Sequence, residues 1–357
     1  MDSEFSLRTL ILTKIAIQIY RHPDMKTLER ERCEVIRYIP AEIWEPIAKE
    51  KLSSLNLPWT IHREVIALMI PFSVEIDDWE YDHYPILYNR LLKLPIDYIW
   101  KENGTIDRIE TAKNFIKGES HDISLRFRMA CVYWLEKEAK KLWQEMSETT
   151  RSSLSVISVC NCKLGWENVV KDWIAFIRSG AVDWRQHTFP HSLTWYCQYG
   201  VVIQSSLLQE LSQTEQFCVF EEVMKKGIPT HTKTFCLTQM NEKQFEIILK
   251  KDPAEVFKAL LNRPFHSQFQ SMVDCIFTYL SEKDFANVLH AMICDRIRFK
   301  PNDYDYVKLL RDLWDRSPDS YKEYVESYEF FHFLKMVLEY DYKTPFLEKC
   351  PCESDDD

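Results

Sequence analysis

The chain carries a repeated pattern of apolar positions, and its clearest copy lies between Arg263 and Ile293. Residues three and four apart lie on the same face of an α-helix. Two apolar sets with this spacing occur here, and Ser281 with Asp284 forms a capping-box-like helix start between them. The pattern predicts a helical hairpin that needs neighbours to bury its apolar faces. The two sets are Phe269, Met272, Val273, Ile276, Phe277 and Leu280, then Phe285, Val288, Leu289, Met292 and Ile293.

Two other segments repeat the start of the second helix. Residues 241–245 (Asn-Glu-Lys-Gln-Phe) match residues 281–285 (Ser-Glu-Lys-Asp-Phe) at an offset of 40, and residues 212–217 are a looser copy. Stacked helical hairpins with loops of variable length give irregular periods of this size. The sequence therefore predicts an all-α fold, an α-solenoid-like array of helical hairpins. The alternative is an irregular multi-helix globule with coincidental similarities.

The pattern also predicts how the chain is divided. We expect an N-terminal helical region over residues 1–103, a helical-hairpin repeat region over residues 104–342, and an acidic tail over residues 343–357. Within the first region, Pro58 is expected to begin a helix and Pro71 to end it, because proline cannot continue the hydrogen-bond ladder of a helix interior.

Residues 72–84 break the helical pattern and are expected to form a crossover loop, which in a compact domain is often functional. Residues 73–84 combine five acids with three aromatic residues. Three interpretations stay open: a loop that docks onto a basic partner protein, a carboxylate cation site, and a solvated crossover. The segment lacks EF-hand spacing, which counts against the cation site. The docking hypothesis assigns partner contacts, with the aromatic residues at least partly exposed, to Glu75, Asp77, Asp78, Trp79, Glu80, Tyr81, Asp82 and Tyr84.

Glycine is scarce, and this scarcity excludes several classes of enzyme. The chain has six glycines, and no two lie closer than fourteen residues. Loops that bind phosphates or dinucleotides need closely spaced glycines so that backbone amides can approach the ligand. The Gly-x-Ser-x-Gly and His-Glu-x-x-His motifs are also absent. We therefore predict a protein without catalytic activity and without a cofactor.

Charge and cysteine content bear on partners and location. The net charge of −10 argues against a nucleic-acid partner, which a basic face would have to attract. The longest segment without charged residues, residues 186–209, is too polar to span a bilayer. Eleven cysteines, several on apolar helix faces, are typical of a reducing compartment, and the N-terminus lacks the positive charge of a signal peptide. We expect a cytoplasmic protein that does not bind membranes.

One Cys/His arrangement has the residue types of a zinc site. Cys160 and Cys162 precede His187 and His191, but one residue and then twenty-four intervene, unlike the usual zinc spacings. The alternative interpretation is buried thiols and loop histidines. The terminal Cys350-Pro-Cys352 is likewise not the redox Cys-x-x-Cys motif.

Three stretches carry a family resemblance: LRTLILTKIAIQIYRHPDM at residues 7–25, IPAEIWEP at residues 39–46 and SLRFRMACVYW at residues 124–134. They resemble an expanded family of uncharacterised, all-helical spider proteins, and the resemblance covers nearly the whole chain. It implies no activity, cofactor or site residue.

The sequence favours one function over an alternative. The predicted hairpin array without catalytic signatures indicates a non-catalytic helical-repeat scaffold for protein–protein interaction, whose partner is an unidentified protein of basic character. The alternative is a metal- or thiol-redox-responsive protein that uses the Cys/His clusters.

Overall fold

The structure, a computed structural model, describes residues 7–87, 96–155, 166–180, 201–225, 227–263, 265–298 and 304–342. Regular structure in these ranges is helical, apart from one isolated antiparallel bridge between Trp100 and Ile106. This confirms the predicted all-α class. The solenoid-like order of the hairpins stays a prediction, and so does its alternative, the irregular globule. No helix in the described ranges has both the length and the apolar character that a membrane span requires.

Contacts divide the chain into two compact units. The described residues of the N-terminal unit lie within Phe5–Leu57 and Phe72–Val223, and those of the C-terminal unit lie within Pro58–Pro71 and Met224–Asp357. The boundary predicted between residues 103 and 104 falls inside the N-terminal unit. The predicted acidic tail, residues 343–357, lies outside the described residues.

From residue 7 to residue 223 the chain forms eleven described α-helices and a 3₁₀ turn at Ile36–Tyr38. In the N-terminal unit the first three helices pack on one another, and α6 packs against α5, α7 and α9. The α-helices are α1 (Leu7–Tyr20), α2 (Pro23–Arg32), α3 (Ala41–Ser53), α4 (Trp59–Leu87), α5 (Arg108–Lys117), α6 (Ile123–Val132), α7 (Glu136–Glu145), α8 (Glu148–Ser155), α9 (Trp166–Ser179), α10 (Ser205–Glu210) and α11 (Gln213–Val223).

The C-terminal unit contains the predicted hairpin. In this unit α14 packs against α12, α13, α15 and α17, while a π-helix at Met292–Ile297 packs against α18 and α20. The helices are α12 (Thr230–Gln239), α13 (Glu242–Lys251), α14 (Pro253–Leu260), α15 (His266–Met272), α16 (Ile276–Tyr279), α17 (Glu282–Ala291), α18 (Tyr306–Arg316), α19 (Asp319–Glu326) and α20 (Phe331–Leu338).

The repeated caps begin helices as the sequence indicates. Ser281 and Asn241 each form a reciprocal capping box, in which the cap side chain and the side chain three residues later accept from each other's backbone amides. At the looser copy, the Ser212 hydroxyl accepts from the Glu215 amide at 3.4 Å, and the Glu215 carboxylate accepts from the Ser212 amide at 2.8 Å. The short polar side chains satisfy amides that the first helical turn leaves unpaired.

The predicted hairpin differs from the sequence expectation in two places. Its first helix is interrupted, because a 3₁₀ turn at Val273–Cys275 separates α15 from α16. Its second helix, α17, continues directly into the π-helix. The apolar sides are buried in spite of these changes, with Phe269, Ile276 and Phe285 inaccessible to solvent.

The expected crossover loop at residues 72–84 does not exist. Helix α4 runs without interruption for 29 residues, so the prediction that Pro71 ends a helix is wrong. The apolar stripe explains the continuity, since its buried members continue through Pro71 at alternating separations of three and four. These buried positions are Val65, Met69, Phe72, Ile76, Trp79, His83 and Ile86.

Candidate functional site

The acidic segment of α4 was the predicted docking site, and in the N-terminal unit most of its acids have internal partners. Asp77 accepts hydrogen bonds from the Arg37 guanidinium at 2.9 Å and from the Tyr38 hydroxyl at 2.8 Å. One turn earlier, the Ser73 hydroxyl accepts from the backbone amide of Arg37 at 3.0 Å. These contacts attach the 3₁₀ turn at Ile36–Tyr38 to α4.

Asp82 and His83 lie inside the unit. The Asp82 carboxylate, almost completely buried, pairs with the Arg108 guanidinium at 2.5 Å. Burial lowers the pKa of His83 to about 3, so the imidazole is neutral. Its Nδ1–H donates to the Trp79 carbonyl at 2.6 Å, which leaves Nε2 to accept from the Tyr133 hydroxyl at 2.8 Å. The neutral ring also stacks on the Trp79 indole, with ring centres 3.7 Å apart.

The two glutamates of the segment also have partners. Glu75 accepts from the backbone amide of Ile106 at 3.2 Å, and Glu80 accepts from the Tyr98 hydroxyl at 3.2 Å. Burial raises the pKa of Glu80 to about 7, against the opposing effect of the Tyr98 hydrogen bond, and nearby Asp77 and Glu29 raise it further. The acidic side of α4 is therefore largely an internal connection to neighbouring elements.

The predicted partial exposure of the three aromatic residues is wrong for Trp79 and confirmed for Tyr81 and Tyr84. Trp79 is completely buried, because it lies on the apolar stripe of α4, between the buried positions Ile76 and His83. Tyr81 and Tyr84 are 53% and 54% exposed, and Tyr38 beside them is 56% exposed. We name the exposed Tyr38, Tyr81 and Tyr84, together with the partly buried Asp77 and Asp78, the tyrosine face.

The predicted metal ligands Cys160, Cys162, His187 and His191 lie outside the described residues, as do Cys350 and Cys352. Within the described ranges, no group of three or more His, Cys, Asp or Glu side chains is arranged to hold a metal ion. The carboxylates of α4 accordingly do not converge, because they face different partners. Metal or thiol response through the four predicted residues stays a prediction, which elemental analysis of protein purified without chelator tests.

A polar cavity of about 110 Å³ lies in the C-terminal unit, and the sequence did not predict it. Helices α12 and α14 and the π-helix form its walls. We call it the polar cavity. Its polar lining consists of Thr230, Lys233, Glu255, Lys258, Asn262, Asp295 and Arg296.

Glu255 fixes two of the three cations of the polar cavity. Its carboxylate pairs with the buried Lys233 ammonium and with the Lys258 ammonium, the latter at 2.9 Å. Although burial opposes the charge of Glu255, the two lysines hold the pKa of its carboxyl group below its ordinary value. The pairing across α12 and α14 sets the position of both amines.

Asp295 and Arg296 lie on the π-helix, and neither side chain has a hydrogen bond or ion pair among the residues that the structure describes. Asp295 is an exposed residue, although neighbouring atoms desolvate its carboxyl group in part. This desolvation raises the pKa of the carboxyl group, while Arg296, His290 and Lys258 act in the opposite direction. π-Helices are rare, and short π segments inside helices occur frequently at functional sites. Here the segment directs two charged side chains to the same cavity.

Next to the polar cavity, the Cys294 thiol lies 3.5 Å from Nε2 of His290. Sequence alone offers only the separation of four residues, which brings side chains together on a helix but does not distinguish this pair from others. Burial lowers the pKa of His290, which favours the neutral imidazole as the acceptor of the thiol hydrogen. Cys294 is buried and His290 is half-buried, so the contact is a hydrogen bond at the edge of the core.

Comparison with known proteins provides no family for this chain: no protein-family profile, no curated protein and no solved structure matches it. The resemblance carried by residues 7–25, 39–46 and 124–134 therefore stays a prediction. Function has to be argued from the tyrosine face and the polar cavity themselves.

Proposed function

We propose that the protein is a non-catalytic helical scaffold that binds a basic segment of a partner protein through the tyrosine face. The observation that supports the proposal is the exposure of three tyrosines beside two carboxylates on one side of the N-terminal unit. Tyrosine is enriched in protein interfaces because it offers a large contact area and a hydroxyl group at little cost in side-chain entropy.

The chemistry of the face favours a cationic partner. Asp78 adds a carboxylate beyond the Asp77–Arg37 pair, and the net charge of −10 would attract a basic segment from a distance. On the same face, the Arg37 guanidinium already lies over the Tyr38 ring, 4.8 Å from its centre. A lysine or arginine of the partner can stack on Tyr81 and Tyr84 by the same cation–π interaction.

The experiment replaces Tyr81 and Tyr84 together with serine. Because both side chains point outward from α4, we expect an unchanged melting temperature and loss of one native partner in quantitative affinity purification. The matched control is Tyr328→Ser, which removes an exposed tyrosine of the C-terminal unit. The captured partner is then titrated as purified protein, and its dissociation constant is expected to rise about tenfold or more for the double variant.

Two results would contradict the proposal. One is equal binding of every purified partner by the native protein, the double variant and the control. The other is reproducible turnover of a small molecule by clean protein, which would make binding secondary to a reaction.

A further inference from the structure

We propose that the polar cavity is a binding site for a small tetrahedral oxyanion, namely phosphate as a free ion or as the terminal group of a small phosphomonoester. The inference goes beyond the proposed scaffold function, because the polar cavity belongs to the C-terminal unit and the tyrosine face to the other.

Charge is the first reason. The polar cavity is lined by Lys233, Lys258 and Arg296 against Glu255 and Asp295, so cations exceed anions by one in a chain of net charge −10. Glu255 is already bound by both lysines, so its carboxylate is neutralised where it lies. The positive charge that remains is available to a ligand.

The geometry of the donors is the second reason. An ammonium group has three N–H donors, so Lys258 retains donors after its bond to Glu255, and Arg296 presents a planar guanidinium without a partner among the described residues. The Thr230 hydroxyl adds another donor at the first turn of α12. Charged donors in this number suit a phosphate, whose oxygens accept several hydrogen bonds at once.

Size decides the kind of phosphate. Cavities that hold nucleotides or drug-sized molecules measure roughly 300 to 1,000 Å³. The polar cavity, at about 110 Å³, has room for one phosphoryl group with little more than the atoms attached to it. The ligand is therefore a phosphate ion or the end of a small monoester.

Asp295 makes the site sensitive to pH. Its carboxylate would repel a bound oxyanion, whereas the protonated carboxyl group can donate a hydrogen bond to it. The charged or titratable groups around it are Arg296, His290, Lys258 and Glu255, of which only Glu255 adds negative charge. Oxyanion binding therefore takes up a proton at Asp295 and strengthens as the pH falls.

The test is calorimetric titration of the full chain with inorganic phosphate and, in a separate arm, with glycerol phosphate. We expect saturable binding that Arg296→Met and Lys258→Met each weaken about tenfold, while Asp295→Asn strengthens it by removing the repulsion. Lys250→Met is the matched control, since this exposed lysine of the same unit pairs with Glu246 away from the cavity lining. Thermal unfolding of each variant shows whether it is folded.

Sulfate provides the pH measurement, because it stays a dianion while phosphate titrates. Its affinity should rise from pH 8 to pH 5 in the native protein and stay level in Asp295→Asn. No binding of either phosphate compound at millimolar concentration would overturn the proposal, and so would binding that Arg296→Met and Lys258→Met leave unchanged. The Tyr81→Ser, Tyr84→Ser variant should bind phosphate normally, which separates this proposal from the scaffold function.

Discussion

Two aspartates of the N-terminal unit show how burial changes the role of a charged group. Asp82 and Asp97 each pair with an arginine at 2.5 Å, the first with Arg108 and the second with Arg21. The first pair is buried and the second is about half exposed. Solvent screens an exposed pair and hydrates the group that remains when its partner is lost. A buried arginine that loses its directly paired carboxylate is not hydrated in this way.

Asp82→Asn is therefore expected to destabilise the protein far more than Asp97→Asn. The first change removes the directly paired carboxylate of the buried Arg108 guanidinium and leaves only the weaker influence of Glu75 and Asp78, at a cost on the order of 3 kcal/mol. The second removes a screened surface pair, at a cost of about 0.5 kcal/mol or less. Denaturant unfolding at pH 7 measures the free energy of unfolding of both variants. Equal losses of stability would show that Asp82 is not buried as described.

Glu80 is expected to make stability fall as the pH rises. Its pKa of about 7 in the folded protein lies above its ordinary value of 4.5, so the folded state binds this proton more tightly. The stabilising contribution is complete below pH 4.5 and disappears as the pH approaches 7. Glu80→Gln cannot ionise, so at pH 8 its free energy of unfolding should exceed that of the native protein by on the order of 2 kcal/mol.

The measurement is the free energy of unfolding of both proteins at several pH values between 4.5 and 8. Glu136→Gln serves as the control, because it changes an exposed glutamate that pairs with Lys140 on α7. A difference between Glu80→Gln and the native protein that is the same at every pH would contradict the raised pKa.

Among the elements, α4 differs most from the sequence expectation, because one long helix replaces a helix end at Pro71 and a loop. Proline inside a helix removes one backbone hydrogen bond and crowds the preceding turn, so Pro71 indicated a helix end. The helix continues because buried side chains on both sides of Pro71 maintain one apolar stripe. Burying a large apolar side chain contributes about 1.5 to 3 kcal/mol, so several of them outweigh the roughly 3 kcal/mol cost of the proline.

Pro71→Ala distinguishes the observed helix from the loop that was expected. In a continuous helix the alanine restores a donor and removes the crowding, so the melting temperature should rise. At the end of a helix the same change would lower stability by about 0.4 to 1 kcal/mol, because alanine leaves the unfolded chain more freedom. Differential scanning calorimetry measures whether the melting temperature of Pro71→Ala rises or falls, and a lower value would contradict the continuous α4.

At the scale of the whole molecule, charge is distributed unevenly. The chain has a net charge of −10, the tyrosine face contains two partly buried carboxylates of which one pairs with Arg37, and the lining of the polar cavity is positive by one charge. Attraction between exposed charges is screened over about 10 Å at 0.1 M salt. The two proposed sites should therefore differ in their response to salt.

Association of a basic partner with the tyrosine face should slow by about tenfold between 0.05 M and 0.5 M sodium chloride, because steering depends on unscreened charge. Stopped-flow mixing of the purified partner with the native protein measures this rate. Asp78→Asn should reduce the salt dependence, and Asp274→Asn, an exposed aspartate of the C-terminal unit, is the control. A rate that does not change with salt would contradict a charge-steered partner.

The sequence by itself determined the helical class and where several helices begin. Apolar spacing of three and four residues and the caps at Ser212, Asn241 and Ser281 act within a few residues, so they can be recognised without knowledge of the fold. The same stripe was present at Phe72, Ile76 and Trp79. The acidic composition and Pro71 favoured a loop over this segment, whereas the apolar spacing favoured a helix and was the more reliable signal.

Only the tertiary structure decided which charged residues are internal and which are available. Asp82 meets its arginine across 26 positions, Asp77 across 40, and His83 meets Tyr133 across 50. The polar cavity likewise joins Lys233 to the π-helix some sixty residues later. Periodicity reports only which side of a helix a residue occupies, whereas burial, pairing and pKa depend on what the rest of the chain places against that side.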